Sequence, residues 1–501
     1  MRTAVVDSVR YSWDSGAGHY VLWYDGRDFW THHLRTGKRT NITAGLPTVF
    51  ADTSFDSPTD VLPAYGVGGW TDGDRAVMLY DQHDVWRVAP DGSGAVRLTH
   101  GNEEQVTHRV LPLTDNRPTI NPKQPLYLSL HGQSDQKRGF ARLRPGAPPE
   151  RLRFEDEFLY WLTKADSVEV YAFHSEDADD SPDVFVAGPL LANATQVTTT
   201  NPFQRDYAWT HSELVKFRND SGTPLQGVLF YPANYDPSRR YPMIVYAYEK
   251  LSDELHFYYP PSERSYYNYQ AWTQQGYFVL YPDIVFRARD PGVSLLEALR
   301  PAVGSIVARG LVDSARVGFV GHSWGGYHAA YVATHSTLFA ASIAGAPLTD
   351  FVSFMGQIHW GPGTPESDHW ETGQARMAVP YWEDPAAHER NSPIHNVQNM
   401  TTPLLLAHGN KDGVVEFFQS TEFYNFARRA GKQLVLLVYE GEDHGFRQAP
   451  NQVDYHRRIL EWFGHYLKGE PAPAWITRGI PLEAHEAEKR RVRNGGQAPV
   501  R

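Results

Sequence analysis

The sequence predicts an all-β N-terminal part followed by an α/β part built on a mostly parallel sheet, in a chain of 501 residues. Two observations lead to this prediction. Short aromatic and β-branched segments, separated by polar turns, recur through about the first 205 residues. Beyond them, apolar strand patterns alternate with helical patterns, which is typical of a parallel sheet with helices on both faces.

The N-terminal repeat joins an apolar strand to a second strand that begins after a polar turn. The aromatic residue that follows the turn recurs at positions 30, 86, 140 and 185. Similar segments close three of the copies: Asn41-Ile42-Thr43, Arg97-Leu98-Thr99 and Gln196-Val197-Thr198. Short strands that repeat every 40 to 50 residues or so are typical of β-propeller blades, with unrelated hairpins as the alternative. We therefore expect a propeller-like domain of about four blades over residues 1–205.

Residues 206–470 read as the α/β domain. A hairpin is predicted around residues 219–222, before the first parallel strand. Strand candidates follow at residues 243–248, 277–281, 317–320, 340–345, 403–407 and 434–439. Helical segments separate them, and one helical face carries Leu295, Leu299, Ala302 and Ile306. For the charged segment 471–501 we expect a peripheral helix followed by disorder.

The strand candidate at 317–320 runs directly into Gly321-His322-Ser323-Trp324-Gly325, a G-x-S-x-G pattern. A segment rich in Ala, Tyr and Val follows and predicts a helix. A sharp turn from strand to helix exposes a serine only if its neighbours are nearly free of side chains, and glycine meets that need. Because the bare pattern also arises by chance, the flanking strand and helix carry the prediction that Ser323 is a nucleophile.

A nucleophilic serine needs a general base and an acid that orients this base. In α/β-hydrolases the acid and then the histidine follow the serine along the chain, each after a strand. Asp412 and His444 follow the last two strand candidates. Open α/β sheets place their sites at the carboxyl ends of the strands, so we predict a triad of Ser323, Asp412 and His444. Glu416 and Asp443 are the alternative acids.

Several segments in register make this domain resemble the prolyl oligopeptidase family of serine peptidases, which includes dipeptidyl and acylaminoacyl peptidases. They are residues 241–248, 321–327, 344–347, 391–393, 408–412 and 443–445, within a likeness that covers about residues 205–470. The resemblance implies the same triad and a propeller beside the hydrolase domain. It also implies an oxyanion hole formed by the Tyr248 hydroxyl, together with the backbone N–H of Trp324. Family propellers have about seven or eight blades, so this chain is N-terminally short by comparison.

The resemblance aligns the stretch after Pro347 with the family's pocket for the residue before the scissile bond. Phe351, Phe354 and Ile358 have helical spacing there and predict an apolar lining suited to proline or a small apolar residue. A plain core stripe is the alternative. Dipeptidyl members carry an Asn two residues after the triad acid, where this chain has Val414, so exopeptidase and oligopeptidase both stay open.

Dipeptidyl members also hold the substrate's amino terminus with paired propeller glutamates. Glu103-Glu104 and residues 155–157 are the acidic candidates here, and we expect both to be solvated turns.

Composition excludes several other classes of function. The net charge of -11 argues against a nucleic-acid partner, and no apolar run approaches the roughly 20 residues of a membrane span. The first residues lack the apolar core of a signal peptide, while the compartment and any homo-oligomer stay open. With no cysteine and no H-E-x-x-H pattern, we expect neither a metal site nor a cofactor. The sequence therefore predicts a serine peptidase acting on short peptides, with a carboxylesterase as the alternative.

Overall fold

The computed structural model describes residues 11–113 and 119–493. They form two compact units: the first contains the described residues through Pro202 together with His256–Tyr258, and the second contains the rest. No helix in these described ranges is both long and apolar enough to cross a membrane.

The first unit consists of short strands in four sheets. Its elements are β1 (Tyr11–Asp14), β2 (Tyr20–Tyr24), β3 (Phe29–His33), β4 (Arg39–Asn41), β5 (Val67–Thr71), β6 (Val77–Tyr80), β7 (Val85–Val88), β8 (Ala95–Arg97), α1 (Gly101–Glu104), β9 (Val106–Leu111), β10 (Thr119–Ile120), β11 (Leu126–Gly132), β12 (Arg138–Leu143), β13 (Glu150–Glu155), β14 (Phe158–Lys164), β15 (Tyr171–Asp177), β16 (Asp180–Ala187) and β17 (Thr195–Gln196). The sheet orders are β1-β2-β3-β4, β10-β5-β6-β7-β8, β13-β12-β11-β9 and β14-β15-β16-β17. Pairing is antiparallel except between β10 and β5.

The aromatic repeat of the sequence follows these sheets. Trp30, Trp86, Phe140 and Phe185 lie on β3, β7, β12 and β16, each the third strand of its sheet in chain order. Each aromatic position therefore marks one copy of a unit of four antiparallel strands, to which β10 adds a fifth, parallel strand in the second sheet.

A recurring pair of hydrogen bonds closes three of the four sheets. In each, a threonine after the fourth strand donates its hydroxyl to an aspartate that lies just before the third strand or, for Asp183, within it. The same hydroxyl accepts the N–H of the residue after that aspartate. The pairs are Asp28–Thr43 at 2.9 Å, Asp84–Thr99 at 2.6 Å and Asp183–Thr198 at 2.6 Å. Aspartate and threonine thus recur at a spacing of 15 residues because they join the third strand to the fourth.

The second unit is built on one eight-stranded sheet. The strands of this unit, including the separate β24 and β25, are β18 (Ser212–Arg218), β19 (Pro224–Phe230), β20 (Tyr241–Tyr246), β21 (Phe278–Pro282), β22 (Val312–His322), β23 (Ala341–Gly345), β24 (Ile358–His359), β25 (Thr364–Pro365), β26 (Leu404–Gly409) and β27 (Leu434–Tyr439). Its helices are α2 (Tyr269–Gln274), α3 (Pro291–Ala308), α4 (Trp324–His335), α5 (Phe351–Met355), α6 (Glu366–Glu371), α7 (Pro385–Asn391), α8 (Phe418–Arg429), α9 (Ala449–Lys468), α10 (Ala474–Thr477) and α11 (Leu482–Arg493).

The large sheet has the order β18-β19-β21-β20-β22-β23-β26-β27. The antiparallel hairpin β18–β19 forms one edge, and every pairing from β21 through β27 is parallel. All six predicted strands of this sheet are present. The separate strands β24 and β25 form a small hairpin of their own.

Helix packing follows the apolar pattern of the sequence. The predicted face of α3, formed by Leu295, Leu299, Ala302 and Ile306, is buried in the main core. Helix α9 lies against β22, where a Cβ on Gly318 would come within 2.5 Å of the Phe463 ring. The C-terminal segment forms α10 and α11, and the disorder predicted after them falls on residues 494–501, outside the described residues.

Candidate active site

Four predicted site residues follow the carboxyl ends of neighbouring parallel strands. Ser323 comes directly after β22, Asp412 after β26 and His444 after β27. Tyr248 comes two residues after the end of β20. Because these strands are parallel, all four residues belong to one edge of the sheet.

Ser323 occupies the strained turn that the G-x-S-x-G pattern predicts. Its φ and ψ are 59° and -117°, and its N–H donates to the carbonyl of Gly345 at 2.9 Å. A Cβ on Gly321 would lie 2.2 Å from the carbonyl oxygen of Gly325, and a Cβ on Gly326 would lie 2.3 Å from that of Gly345. Only glycine fits so close to backbone, which explains why the turn needs these residues. Such strain costs about 1–3 kcal/mol and is usual at functional sites.

Asp412 is a buried carboxylate that accepts four hydrogen bonds. Its Oδ1 accepts the N–H groups of Val414 and Val415, both at 2.9 Å. Its Oδ2 accepts from His444 Nδ1 at 2.8 Å and from His408 Nε2 at 3.0 Å. Burial alone would raise the pKa of Asp412, but the bonds from the two imidazoles outweigh it and hold this pKa well below its usual value. Asp412 is therefore an ionised acceptor that fixes the His444 ring.

His408 is a second imidazole on the same carboxylate, and the sequence analysis gave it no role. Its Nε2 faces two acceptors, Asp412 and the carbonyl of Val415 at 2.9 Å, so this nitrogen carries a proton. Its Nδ1 lies 2.7 Å from the hydroxyl of Ser420. The ring is fully buried and donates to Oδ2 of Asp412, whereas Val414 and Val415 donate to Oδ1. The position of His408, four residues before Asp412, was the available signal in the sequence.

His322 brings the serine turn next to His444. The centroids of these two rings lie 4.7 Å apart. Burial, followed by repulsion from His444, lowers the pKa of His322 to about 3. His322 is therefore neutral near pH 7 and adds no positive charge beside a protonated His444.

The predicted oxyanion donors flank the same turn. A Cβ on Gly325 would lie 3.5 Å from Cδ2 of Tyr248, so the tyrosine ring borders the turn. The Tyr248 hydroxyl accepts a hydrogen bond from the Gln374 amide at 3.3 Å. Trp324 is the first residue of α4, and an N–H in the first turn of a helix has no acceptor within that helix.

Two further side chains hold Gln374 in place, and sequence reasoning missed both. The Gln374 amide also donates to Glu249 at 3.4 Å. Glu249 forms an ion pair at 3.2 Å with the buried guanidinium of Arg376. Arg376 in turn donates to the backbone carbonyl of Gln374 at 2.6 Å.

The alternative acids have other partners. Glu416 accepts the indole N–H of Trp360 at 2.9 Å. Asp443 accepts the backbone N–H groups of Gly413 at 3.1 Å and of His444 at 2.8 Å. The His444 Nδ1 contact goes to Asp412, so the geometry favours Asp412 as the orienting acid.

The predicted pocket lining needs a correction. Helix α5 ends at Met355, so Ile358 does not continue the face of Phe351 and Phe354; it lies in β24 and is 40% exposed. Phe351 and Phe354 are 0% and 2% exposed and belong to the main core. The core alternative thus describes these two rings. Val414 is half-buried and lies in the Asp412 loop.

The acidic candidates of the first unit are engaged in ion pairs. Glu103 pairs with Arg97, and Glu104 pairs with Arg151. Glu155 lies 3.3 Å from Arg153. Glu103 and Glu104 lie in α1 and Glu155 ends β13, so these three residues are not in the turns that we expected.

One cluster has the composition of a metal site, although the sequence predicted none. Among the described residues, His359, Glu366 and His369 form the one group of three whose potential ligand atoms all lie within 4.8 Å of one another.

Comparison with known proteins places this geometry in context. The model of the prolyl oligopeptidase family matches residues 288–470. A dipeptidyl-peptidase 5 of Porphyromonas gingivalis is 26% identical over 59% of this chain and 43% of its own length. A lasso peptide isopeptidase of Asticcacaulis excentricus is 25% identical over 55% of this chain and 40% of its own length. The chain thus spans less than half of the length of these relatives.

The solved structures support the fold. A puromycin-hydrolyzing peptidase of Mycobacterium tuberculosis superimposes with a TM-score of 0.69 at 17% identity, over 94% of this chain and 73% of its own. This likeness confirms the predicted fold class, an α/β hydrolase preceded by a propeller-like all-β domain.

Proposed function

We propose that this chain is a serine peptidase that hydrolyses short peptides, since the model of the prolyl oligopeptidase family matches residues 288–470. Ser323 is the proposed nucleophile, His444 the general base and Asp412 the acid that orients it. The observation that carries the proposal is the 2.8 Å bond from His444 Nδ1 to Asp412, at the sheet edge where Ser323 occupies its strained turn. That bond keeps the proton on Nδ1 and leaves Nε2 free to accept one.

The proposed reaction has two halves. Ser323 Oγ attacks the carbonyl carbon while His444 Nε2 takes the hydroxyl proton, which gives a tetrahedral intermediate. The C–N bond then breaks, His444 passes its proton to the departing amine, and an acyl ester remains on Ser323. Water attacks this ester as His444 accepts its proton. The acid product leaves, and the proton returns to Ser323.

Tyr248 and Trp324 are the proposed oxyanion donors. The Gln374 amide donates to the Tyr248 oxygen, so this bond does not use the phenolic proton. That proton is then available to the oxyanion, which develops only in the transition state. The Trp324 N–H, at the start of α4, is the second proposed donor.

Short peptides are the proposed substrate class, with no cofactor. In support, one relative is named a dipeptidyl-peptidase and one structural neighbour is a puromycin-hydrolyzing peptidase. We keep proline or a small apolar residue as the proposed preference before the scissile bond. Since Phe351 and Phe354 are in the core, Val414 and the exposed Ile358 are the apolar candidates for the lining.

An active-site probe combined with a substrate panel tests the proposal. The wild-type chain should react with a fluorophosphonate, and Ser323→Ala should abolish both labelling and hydrolysis while the protein stays folded. Ser305→Ala, which removes a hydroxyl bonded only to the Ala302 carbonyl on α3, is the matched control and should behave as wild type. The panel contains N-blocked peptides, N-free peptides and short acyl esters.

The outcomes separate the alternatives. Cleavage of peptides supports the peptidase, and the ratio of N-free to N-blocked rates distinguishes exopeptidase from oligopeptidase activity. Hydrolysis of esters alone would instead indicate a carboxylesterase with the same triad. Wild-type rates in Ser323→Ala would refute the proposed nucleophile.

A further inference from the structure

The cluster of His359, Glu366 and His369 is held together by backbone structure. His359 lies in the β24–β25 hairpin, where it pairs with Thr364. Glu366 and His369 are three residues apart on α6, which brings them to one side of the helix. The N–H of Glu366 donates to the carbonyl of Gln357 at 3.1 Å, which ties the helix start to the hairpin. The helical spacing and the backbone hydrogen bonds thus bring the three side chains together.

Glu366 is a buried carboxylate without a hydrogen-bond donor. It is 1% exposed, and neither of its carboxylate oxygens has a hydrogen-bond partner among the described residues. His359 Nδ1 lies 3.1 Å from Oε1, close enough for an ion pair but without the alignment of a hydrogen bond. Burying a carboxylate that accepts no hydrogen bond is costly, so a cation beside Glu366 would stabilise it.

The two imidazoles complete a recognisable donor set. A neutral imidazole offers the lone pair of one ring nitrogen to a metal ion. Two histidines and one glutamate are a frequent ligand set for zinc, with a further position left for water or another ligand.

We propose that His359, Glu366 and His369 bind a divalent transition-metal ion, with Zn²⁺ as the favoured ion. Ligand atoms at zinc-bond distances of 2.0–2.2 Å lie about 3.3–3.6 Å apart in a tetrahedron. Since the potential ligand atoms here lie within 4.8 Å of one another, side-chain movements of about 1.5 Å or less would close the site. The bound cation would neutralise the carboxylate of Glu366.

The site adjoins the proposed oxyanion side without sharing a residue with it. His369 interacts with the side chain of Gln374, whose amide donates to the Tyr248 hydroxyl. The hairpin is also tied to the Asp412 loop, since the N–H of Trp360 donates to the carbonyl of Gly413 at 3.0 Å. A bound ion would order the segment between these two contacts. Binding of the ion itself does not rest on the proposed hydrolysis.

Metal titration of the full chain tests the site directly. The protein is stripped with a chelator and then titrated with Zn²⁺ by calorimetry, with Co²⁺ absorbance as a second readout of coordination. We expect one ion per chain and a Tm that rises when zinc is added. Glu366→Gln and His369→Ala should each weaken binding at least about 100-fold, because a ligand is removed. His395→Ala, which removes an exposed histidine outside the cluster, should bind as wild type.

The apo proteins separate ligand loss from damage to the fold. Glu366→Gln removes a buried charge, so its Tm without zinc should not fall, while its zinc-dependent rise should disappear. His369 is exposed, so His369→Ala should fold even if Glu366→Gln does not. In that case the zinc affinity of His369→Ala alone tests the proposal. Absence of a stoichiometric ion in the wild type would overturn the proposal. Equal affinity of His369→Ala and the wild type would also overturn it, since binding would then lie at other histidines.

Discussion

Asp412→Asn should disable the proposed triad because the surrounding donors dictate how the new amide faces. Oδ1 of Asp412 accepts the N–H groups of Val414 and Val415, both at 2.9 Å. An amide NH₂ cannot accept a hydrogen bond, so the asparagine oxygen has to take this position. Its NH₂ group then faces His408 and His444.

The expected loss follows from the tautomer of His444. Facing a donor, His444 can bond only through an unprotonated Nδ1, so its Nε2 carries the proton and cannot accept one from Ser323. Such a tautomer change lowers kcat by about 10,000-fold, or about 5.5 kcal/mol of activation free energy. His408 Nε2–H would also face a donor, which should lower the free energy of unfolding by about 1–3 kcal/mol.

The assay measures kcat on a cleaved peptide together with the Tm of each variant. Asp443→Asn is the matched control: it removes a charge from the neighbouring loop, where the carboxylate accepts only backbone N–H groups at 2.8 and 3.1 Å and a contact from Arg447. Its kcat should stay within about tenfold of wild type. A tenth or more of the wild-type kcat in Asp412→Asn would show that Asp412 does not orient the base. Equal losses in both variants would mean that the acid is misassigned.

Three further outcomes are expected. Tyr248→Phe should lower kcat on peptides about 10- to 1000-fold with little change in KM, and its effect on activated esters should be smaller. Normal peptide turnover in this variant would place the second oxyanion donor elsewhere. Thr99→Val removes one of the donors to Asp84 and the hydroxyl that accepts the N–H of Val85, so denaturant unfolding should show a loss of about 1–3 kcal/mol; an unchanged midpoint would contradict the structural role of the pair. Burial raises the pKa of Glu254 from 4.5 to about 7, so the folded protein holds a proton that the unfolded chain releases. The free energy of unfolding should therefore fall as pH rises through this window, by at most about 1.4 kcal/mol per pH unit. Glu254→Gln should flatten that slope, and an identical slope in the variant would assign it to another group.

The elements predicted from the sequence are those that local patterns encode. Strand candidates at 243–248 and 317–320 became β20 and β22, because short apolar runs that are bounded by turns and contain β-branched residues favour buried strands. The sequence shows the recurring spacing between aspartate and threonine. It does not show the reason, which is a threonine hydroxyl that bonds both a carboxylate and a backbone N–H once the strands are paired.

The predicted helical face of the pocket lining does not reach Ile358, because the helix ends early. The spacing of Phe351, Phe354 and Ile358 suits one helical face, but Gly356 caps the helix and the chain turns into a hairpin. The glycine directly after this short helical run was the available signal in the sequence. A glycine there commonly ends a helix, and residues beyond the end no longer share a helical face.

The sequence by itself determined the serine turn, because the glycines at 321, 325 and 326 are required by contacts with backbone atoms only a few residues away or in the adjacent strand. Only the tertiary structure decided which side chains share a partner. His408 and His444 meet on one carboxylate, and Gln374 reaches Tyr248 across 126 residues of chain. The physical reason is that a strained turn restricts which residue types can occupy it, and this restriction is local in the sequence. Contacts between residues far apart in the chain depend instead on the order of strands in the sheet. Burial and hydrogen-bond partners together then set the charge of the groups that meet: the two imidazoles outweigh burial and lower the pKa of Asp412, whereas burial raises the pKa of Glu366.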